Sequence, residues 1–204
     1  MDSAGWDRRY AGHELVWSAG PNRWVEEVAA DLPEGTALDL AAGEGRNALW
    51  LAERGWEVTA VDFSAVGLER ARSLAARRLG EHAGRVRLVE ADLREYTPAR
   101  QAADLVIVAY LQVGEQVRRP ALRAAGVAAA SGGLLLGIGH DSDNLAHGVG
   151  GPQDAVALYT AQDAASDIAG TGLQILRAEP RTREVVTDEG PRSAIDAFLL
   201  ARRQ

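Results

Sequence analysis

Short apolar runs alternate with helical segments along most of this chain, and this alternation limits the possible folds more than any other feature. Five such runs lie at residues 36–40, 56–61, 86–89, 105–109 and 134–138. Residues 105–109 contain no polar side chain, which is typical of a strand buried on both faces of a sheet. The alternation predicts an α/β domain built on a parallel sheet.

The segments between these runs have helical periodicity and helix-ending signals. Ser64 can cap a helix that places Leu68, Ala71 and Ala75 on one face, and Gly80 follows that helix. Helices are predicted near 46–54, 64–79, 120–130 and 161–169, and two late strands near 173–178 and 194–201. Five strand–helix units followed by a strand pair are therefore expected.

Chain length favours a single domain. The 204 residues have a mass of 21.7 kDa, which suits one domain and is short for two. We expect residues 1–35 to form a helical lid and residues 36–204 to form the sheet core. We expect a monomer or a homodimer.

Composition excludes several kinds of chemistry. The 22 basic residues are all arginine, so a Schiff-base lysine and a P-loop lysine are ruled out. The chain has no cysteine, which excludes thiolate zinc sites, iron–sulfur clusters and a cysteine nucleophile. A net charge of −7 argues against nucleic acid as a partner, because binding to phosphates requires a basic surface.

The sequence shows neither a membrane-spanning run nor a signal-peptide pattern. No apolar run approaches the ~20 residues of a membrane span, so no membrane partner is expected. The acidic, polar start Met1-Asp2-Ser3 differs from a signal peptide. The cytoplasm is therefore the expected location.

Residues at the ends of the predicted strands are the candidates for a site, since ligands of open α/β sheets bind beyond the carboxyl ends of the strands. Gly43 and Gly45 follow the first run and allow a ligand to approach the backbone closely. Asp62 follows the second run and could accept hydrogen bonds from both ribose hydroxyls. Asp92 follows the third and could bind the edge of an adenine.

Two cofactors compete for this glycine loop. Residues 43–48 fit the dinucleotide pattern G-x-G-x-x-G/A, which alone is a weak signal. Asp39, however, precedes the loop, and its carboxylate would repel a pyrophosphate. The same carboxylate suits S-adenosylmethionine, which carries a sulfonium, an ammonium and a ribose but no phosphate. An NAD-dependent oxidoreductase and a non-catalytic S-adenosylmethionine-binding protein remain the alternatives.

The segment ALDLAAGEGRN at 37–47, followed by VTAVDFS at 58–64, resembles the glycine loop and second strand of class I S-adenosylmethionine-dependent methyltransferases. The similarity continues through Asp92 and the strand at 104–111 to the late strand pair. Ala41 stands where the family pattern D/E-x-G-x-G-x-G has its first glycine. Residues 6–10 and Trp17 are similar to small methyltransferases of the tellurite-resistance and thiopurine type.

This resemblance implies both a fold and a set of binding residues. The fold would be a single Rossmann-like domain, with a seven-stranded, mostly parallel sheet, helices on both faces and an antiparallel last strand. Asp39 would orient the methionine end, Asp62 the ribose and Asp92 the adenine. The full set expected to bind S-adenosylmethionine is Tyr10, Trp17, Asp39, Ala41, Gly43, Gly45, Arg46, Asn47, Asp62, Phe63, Ser64, Asp92, Leu93 and Tyr110.

The methyl acceptor is expected to be a small molecule, reacting through a thiol, oxyanion, hydroxyl or amine. If the acceptor must lose a proton, a base helps, and His140 has a suitable intrinsic pKa. Asp141 could serve instead, and the resemblance places Tyr110 near the methyl group. The histidines and aspartates at 140–147 match neither a zinc nor an EF-hand spacing, so no metal is expected.

Overall fold

A computed structural model describes residues 2–12, 20–188 and 190–204. The strands of this part are β1 Thr36–Leu40, β2 Glu57–Asp62, β3 Val86–Glu90, β4 Ala103–Ala109, β5 Ala129–His140, β6 Leu173–Thr187 and β7 Gly190–Arg203. The α-helices are α1 Ser3–Tyr10, α2 Arg23–Ala29, α3 Arg46–Glu53, α4 Ala65–Leu79, α5 Glu115–Ala128, α6 Asn144–His147 and α7 Ala161–Asp167. Short 3-10 helices lie at Gly80–Arg85 and Ala155–Ala157. None of the helices described is long and apolar enough to cross a membrane.

All seven strands form one sheet in the order β3-β2-β1-β4-β5-β7-β6. The pairs from β3 to β5 are parallel, and β7 runs antiparallel to both of its neighbours. The prediction of a seven-stranded, mostly parallel sheet with an antiparallel last strand is confirmed.

Apolar side chains fill both faces of this sheet. On one face, Trp24 of α2 and Leu49 of α3 are buried together with Ala75 of α4. On the other face, Leu122 of α5 and Ala164 of α7 are buried. Each fully buried leucine contributes roughly 2 kcal/mol. Packing on both faces holds the strands in place, and the carboxyl ends of the strands are thereby positioned along one edge.

Two predicted elements have different bounds. We expected a helix to begin near Pro120, but α5 begins at Glu115 and Pro120 lies inside it. The exposed proline costs one backbone hydrogen bond, and burial of Leu122 and Ala125 outweighs that loss. Between β5 and α7, where the sequence predicts no helix, the chain forms the short helix α6 and the 3-10 turn Ala155–Ala157.

The last strand pair is much longer than predicted and positions part of the site. His140, the end of β5, pairs with Asp196, so β7 residues 190–195 extend past the carboxyl edge of β5. The loop after β5 is tied to this extension, because Asp141 N donates to Ile195 O at 3.0 Å and Val149 N donates to Ser193 O at 3.0 Å. We missed the extension because residues 177–184 are mostly charged and form no apolar run.

Candidate active site

The loop between β1 and α3 has a left-handed backbone conformation at every second residue. Ala41, Gly43 and Gly45 have φ angles of 60°, 56° and 78°. A Cβ on Gly45 would lie 3.1 Å from the Cβ of Ala71, so the loop packs directly against α4. Ala41 has the left-handed backbone conformation that favours glycine, at a cost of roughly 1 kcal/mol.

Asp39, in β1, is a buried acid that precedes the glycine loop. The residue is 1% exposed, and among the described residues its Oδ2 atom has no hydrogen-bond partner. Burial raises the pKa of this carboxyl to about 7; the nearby Asp62 adds to the rise and Arg46 opposes it. A buried carboxylate oxygen without a donor is costly, and a bound cation would remove that cost.

Asp62, at the end of β2, holds the glycine loop in place. Its Oδ2 accepts from Gly43 N at 2.8 Å and its Oδ1 accepts from Ser64 N at 2.9 Å. Burial raises the pKa of Asp62, and these backbone hydrogen bonds oppose the rise. Each oxygen has a second acceptor direction, so the carboxylate can still receive ribose hydroxyls.

The first helix covers the end of β2. Ser64 is fully buried; its Oγ donates to Asp7 Oδ1 at 2.5 Å and accepts from Gly67 N at 3.0 Å. Ser3 Oγ donates to the carbonyl of Phe63 at 3.0 Å. Ser64 therefore caps α4 and anchors α1, so both capacities of its hydroxyl are used within the protein.

Aromatic residues of the N-terminal segment have two different outcomes. Tyr10 is buried beside Gly67, where an added Cβ would lie 3.2 Å from the tyrosine ring. It therefore lies next to the glycine loop, since Gly43 O is equally close to that Cβ. Trp17 lies outside the described residues.

Asp92, after β3, lies on the predicted edge but already has a partner. Its carboxylate accepts from the Arg94 guanidinium at 2.5–3.0 Å and from Arg94 N at 2.9 Å. The Arg94 side chain lowers the pKa of Asp92. Leu93 is half-buried beside it. An adenine amino group would share this carboxylate with Arg94.

The three predicted acids therefore lie on neighbouring strands. β3, β2 and β1 are adjacent, and Ala91 N donates to Asp62 O at 2.9 Å, which joins the two strand ends. The carboxyl edge of this half of the sheet carries Asp39, Asp62 and Asp92, as the sequence predicts.

Asn47 and Arg46, at the start of α3, face the other half of the edge. Asn47 Oδ1 accepts from Asn22 N at 2.9 Å, and Asn22 Oδ1 in turn caps α2 through Trp24 N at 2.8 Å. Asn47 thus fixes α2. The Arg46 guanidinium lies 6.0 Å from the centre of the Tyr110 ring, and burial lowers its pKa.

Tyr110 follows β4 in a left-handed conformation, with a φ of 57°. Its hydroxyl donates to Asp196 Oδ2 at 3.0 Å, and its ring centre lies 4.9 Å from that of His140. Burial raises the pKa of Tyr110 to about 12, with the Asp196 charge adding to it. The phenol therefore stays protonated at neutral pH and cannot act as a base.

The two candidate bases differ in their surroundings. His140 lies beside Tyr110 at the end of β5, and burial lowers its pKa, so the imidazole is neutral at pH 7. Asp141 points into its own turn, where Oδ1 accepts from Asp143 N at 3.0 Å and Ser142 Oγ at 3.4 Å. The geometry groups His140, and not Asp141, with Tyr110.

Comparisons with known proteins agree with this geometry. Residues 37–133 match the family described as "Methyltransferase domain". The putative methyltransferase YqeM of Bacillus subtilis (strain 168) is 34% identical over 96 residues, which are 47% of this chain and 37% of that relative. This chain thus aligns with little more than a third of the relative's length. Residues 37–133, which hold the glycine loop and strands β1 to β4, are therefore similar to a methyltransferase domain.

Solved structures show the same fold across nearly the whole chain. A protein from a study of disulfide-to-thioacetal conversion during echinomycin biosynthesis has a TM-score of 0.75 and 22% identity, covering 99% of this chain and 92% of its own. TehB from Haemophilus influenzae has a TM-score of 0.69 and 15% identity, covering 98% and 66%. The glycopeptide N-methyltransferase MtfA, solved with S-adenosylmethionine, has a TM-score of 0.67 and 18% identity, covering 94% and 98%. S-adenosylmethionine, the cofactor that the sequence predicts for this chain, is thus the ligand of one structural neighbour.

Sequence reasoning missed two charged residues of this candidate site. Asp196 of β7 is 0% exposed, and its Oδ2 accepts from Tyr110 and from Arg183 Nε at 2.9 Å. Asp196 stands between Ile195 and Ala197, so an acid inside an apolar strand was the signal available. Arg183 had no signal, because alternating charges in 177–184 are typical of a solvated strand.

Metal binding finds no support in the described ranges. Across residues 2–12, 20–188 and 190–204, no three His, Asp or Glu side chains are grouped to hold an ion.

Proposed function

We propose that this chain transfers the methyl group of S-adenosylmethionine to a small-molecule acceptor. The observation that carries the proposal is the buried Oδ2 of Asp39 beside the glycine loop, which has no hydrogen-bond partner within residues 2–12, 20–188 and 190–204. A phosphate there would face a buried carboxylate, whereas the ammonium of a methionine group would satisfy it.

The residues of the first three strand ends fit the parts of this cofactor. Asp39 would hold the ammonium, the Gly43–Gly45 backbone would face the methionine chain, and Asp62 would hold the ribose. Asp92, with Phe63 and Leu93, would bind the adenine, as the family resemblance implies. When bound, S-adenosylmethionine supplies a methyl group on a positively charged sulfur that departs as a neutral thioether.

The protein's remaining task is to align an acceptor with that methyl group. Holding two reacting atoms in line replaces a bimolecular encounter and supplies most of the acceleration. His140 and the guanidinium groups of Arg46 and Arg183 lie around the Tyr110 ring, with centres 4.9, 6.0 and 5.9 Å away, and the proposal places the acceptor beside this group. His140 can take a proton where the acceptor has one to lose.

The remaining expectations belong to the same proposal. α1 and α2 pack over the edge of the sheet, in keeping with residues 1–35 acting as a lid over a core at 36–204. The acidic surface suits a small-molecule partner in the cytoplasm rather than nucleic acid. A monomer or a homodimer is proposed.

Calorimetric titration with S-adenosylmethionine tests the binding half of this proposal. Asp62→Ala should weaken binding at least tenfold, while Asp31→Ala, which removes an exposed acid of the same type, should leave it unchanged. Equal affinity in the Asp62→Ala variant and the parent protein would contradict the site.

Turnover is tested separately, by release of S-adenosylhomocysteine with phenol, benzylamine, 2-mercaptoethanol or sodium selenite as acceptor. Release above the acceptor-free rate supports methyl transfer. Tight cofactor binding without release from any of the four acceptors would favour a non-catalytic binding protein instead.

A further inference from the structure

Asp196 is the most deeply buried acid on the acceptor side, and three elements hold one of its oxygens. Its Oδ2 accepts from Trp24 Nε1 at 2.8 Å, from Tyr110 Oη at 3.0 Å and from Arg183 Nε at 2.9 Å. These donors come from α2, the residue after β4, and β6. These three donors therefore fix the direction of the carboxylate before any ligand binds.

The other oxygen faces the candidate base. Asp196 Oδ1 lies 3.6 Å from His140 Nδ1, and both atoms are buried without a hydrogen-bond partner among the described residues. The distance exceeds a hydrogen bond, but a shift of about half an ångström would close it. Because a carboxylate only accepts, the nitrogen that fits beside it is a protonated Nδ1.

Packing holds the imidazole in this relation. One side of the ring faces Tyr110, at 4.9 Å between centres. The backbone of the loop after β5 faces it as well, because a Cβ on Gly151 would lie 2.7 Å from His140 Cδ2. Few orientations remain, so the direction of Nδ1 is determined by the fold.

We propose that Asp196 is a positioning residue that keeps His140 in the Nδ1–H tautomer, which leaves Nε2 as the base for the methyl acceptor. This rests on the proposed function and narrows its substrate class. The acceptor reacts from an oxygen, nitrogen or sulfur atom that carries a proton, and an oxyanion without one is excluded. That proton passes to His140 Nε2, and the electron pair left on the acceptor forms the new bond to the methyl carbon as the carbon–sulfur pair returns to sulfur.

Charged and titratable groups around His140 agree with this role. Burial lowers the pKa of the imidazole, the charge of Asp196 from β7 opposes this, and the Arg183 guanidinium from β6 lowers the pKa further. The Tyr110 phenol on the β4 side is neutral, since its pKa is raised. His140 is thus unprotonated and able to accept a proton at pH 7, while Asp196 stabilises the imidazolium that forms.

Nitrogen NMR of the full chain, labelled with ¹⁵N-histidine, tests the tautomer without cofactor or acceptor. The chain has four histidines, and His140→Gln assigns the signal. We expect protonated Nδ1 and bare Nε2 in the parent protein at pH 7.5, and a reversed tautomer in Asp196→Asn, whose amide can donate to Nδ1. Asp167→Asn, another buried acid in an ion pair away from the site, should leave the His140 signals unchanged. Protonated Nε2 in the parent protein would overturn the proposal.

Turnover of the four acceptors named above tests the chemical consequence. Asp196→Asn should lower kcat ten- to a hundredfold with phenol, benzylamine or 2-mercaptoethanol, with the affinity for S-adenosylmethionine unchanged. A loss no greater than in Asp167→Asn, or turnover confined to selenite, would overturn the proposal. Absence of turnover with all four counts against the proposed function, and the tautomer then decides this inference alone.

Discussion

The two halves of the sheet's carboxyl edge are built in different ways. On the cofactor half, at the ends of β1 to β3, Asp39 and Asp62 lie within 24 consecutive residues. On the acceptor half, Tyr110, His140 and Asp196 are brought together from positions up to 86 residues apart, the separation of Tyr110 and Asp196. The acids of the cofactor half come from one short stretch of chain, whereas the residues of the acceptor half come together only when the sheet has formed.

The electrostatics of the two halves also differ. In the part of the chain that the structure describes, no donor reaches the buried Oδ2 of Asp39, so this half is incomplete until a cation binds. Asp196 has three donors on one oxygen before any ligand arrives. Its other oxygen, Oδ1, also lacks a hydrogen-bond partner among the described residues, but it faces His140 Nδ1 at 3.6 Å. The cofactor half therefore needs a bound cation to complete it, whereas the acceptor half can supply the missing partner from its own His140.

Removing the charge of Asp39 is the largest predicted change and bears on the cofactor half alone. Asp39→Asn should weaken S-adenosylmethionine binding at least 100-fold, about 2.7 kcal/mol, since it loses the buried ion pair with the ammonium. Calorimetric titration measures it. The His140 tautomer should stay as in the parent protein, and a changed tautomer would show that the two halves are not independent.

Local motifs made the cofactor half predictable. A glycine loop, an acid before it and acids after the next two strands all depend on residues close in sequence, so Asp39, Asp62 and a parallel sheet could be derived. Partners could not: the pairing of Asp92 with Arg94 and of Ser64 with Asp7 requires coordinates.

The acceptor half was only partly predictable for a physical reason. His140 was found because it follows a strand, but Asp196 became visible only when β7 was seen to run antiparallel beside β5. The length of the β6–β7 hairpin depends on pairing between strands, which apolar periodicity does not report.

Stability without ligand should fall as pH rises through the titration of Asp39. Its folded pKa of about 7 lies above the ordinary 3.8, so its stabilising contribution is present below pH 3.8 and is lost by pH 7 to 8. Between pH 5 and pH 8 the parent protein should lose about 2 kcal/mol relative to Asp39→Asn. Urea unfolding at both pH values measures the difference, and parallel pH profiles for the two proteins would refute it.

Removing the contacts of Arg181 with α2 should affect the acceptor half and leave the cofactor half unchanged. The Arg181 guanidinium lies 3.9 Å from the Trp24 ring centre and 2.7 Å from Glu27 Oε1. Arg181→Ala should destabilise the protein by about 1–1.5 kcal/mol through lost cation–π and ionic contacts. S-adenosylmethionine affinity should be retained within twofold, with Arg87→Ala on β3 as an exposed control. A tenfold loss of S-adenosylmethionine affinity in Arg181→Ala would show that the Arg181 contacts also support the cofactor half.

The smallest predicted effect restores the family's first loop glycine. Ala41→Gly should stabilise the protein by roughly 0.5–1 kcal/mol, because glycine adopts a φ of 60° without a clash of its Cβ. Thermal unfolding measures the shift, and Ala99→Gly, an exposed alanine away from the site, provides the comparison. A lower melting temperature in Ala41→Gly would mean that the loop is relaxed with alanine.

Proton release on cofactor binding is the most direct test that Asp39 forms a carboxylate site for a cation. Titrating S-adenosylmethionine into the protein at pH 6.5, in buffers of different ionisation enthalpy, gives the number of protons released. A carboxyl with a pKa of about 7 is mostly protonated at that pH and must ionise to pair with the ammonium. We predict release of roughly 0.7 proton per cofactor bound by the parent protein and none in any weak binding by Asp39→Asn. Binding with no proton release by the parent protein would contradict the account.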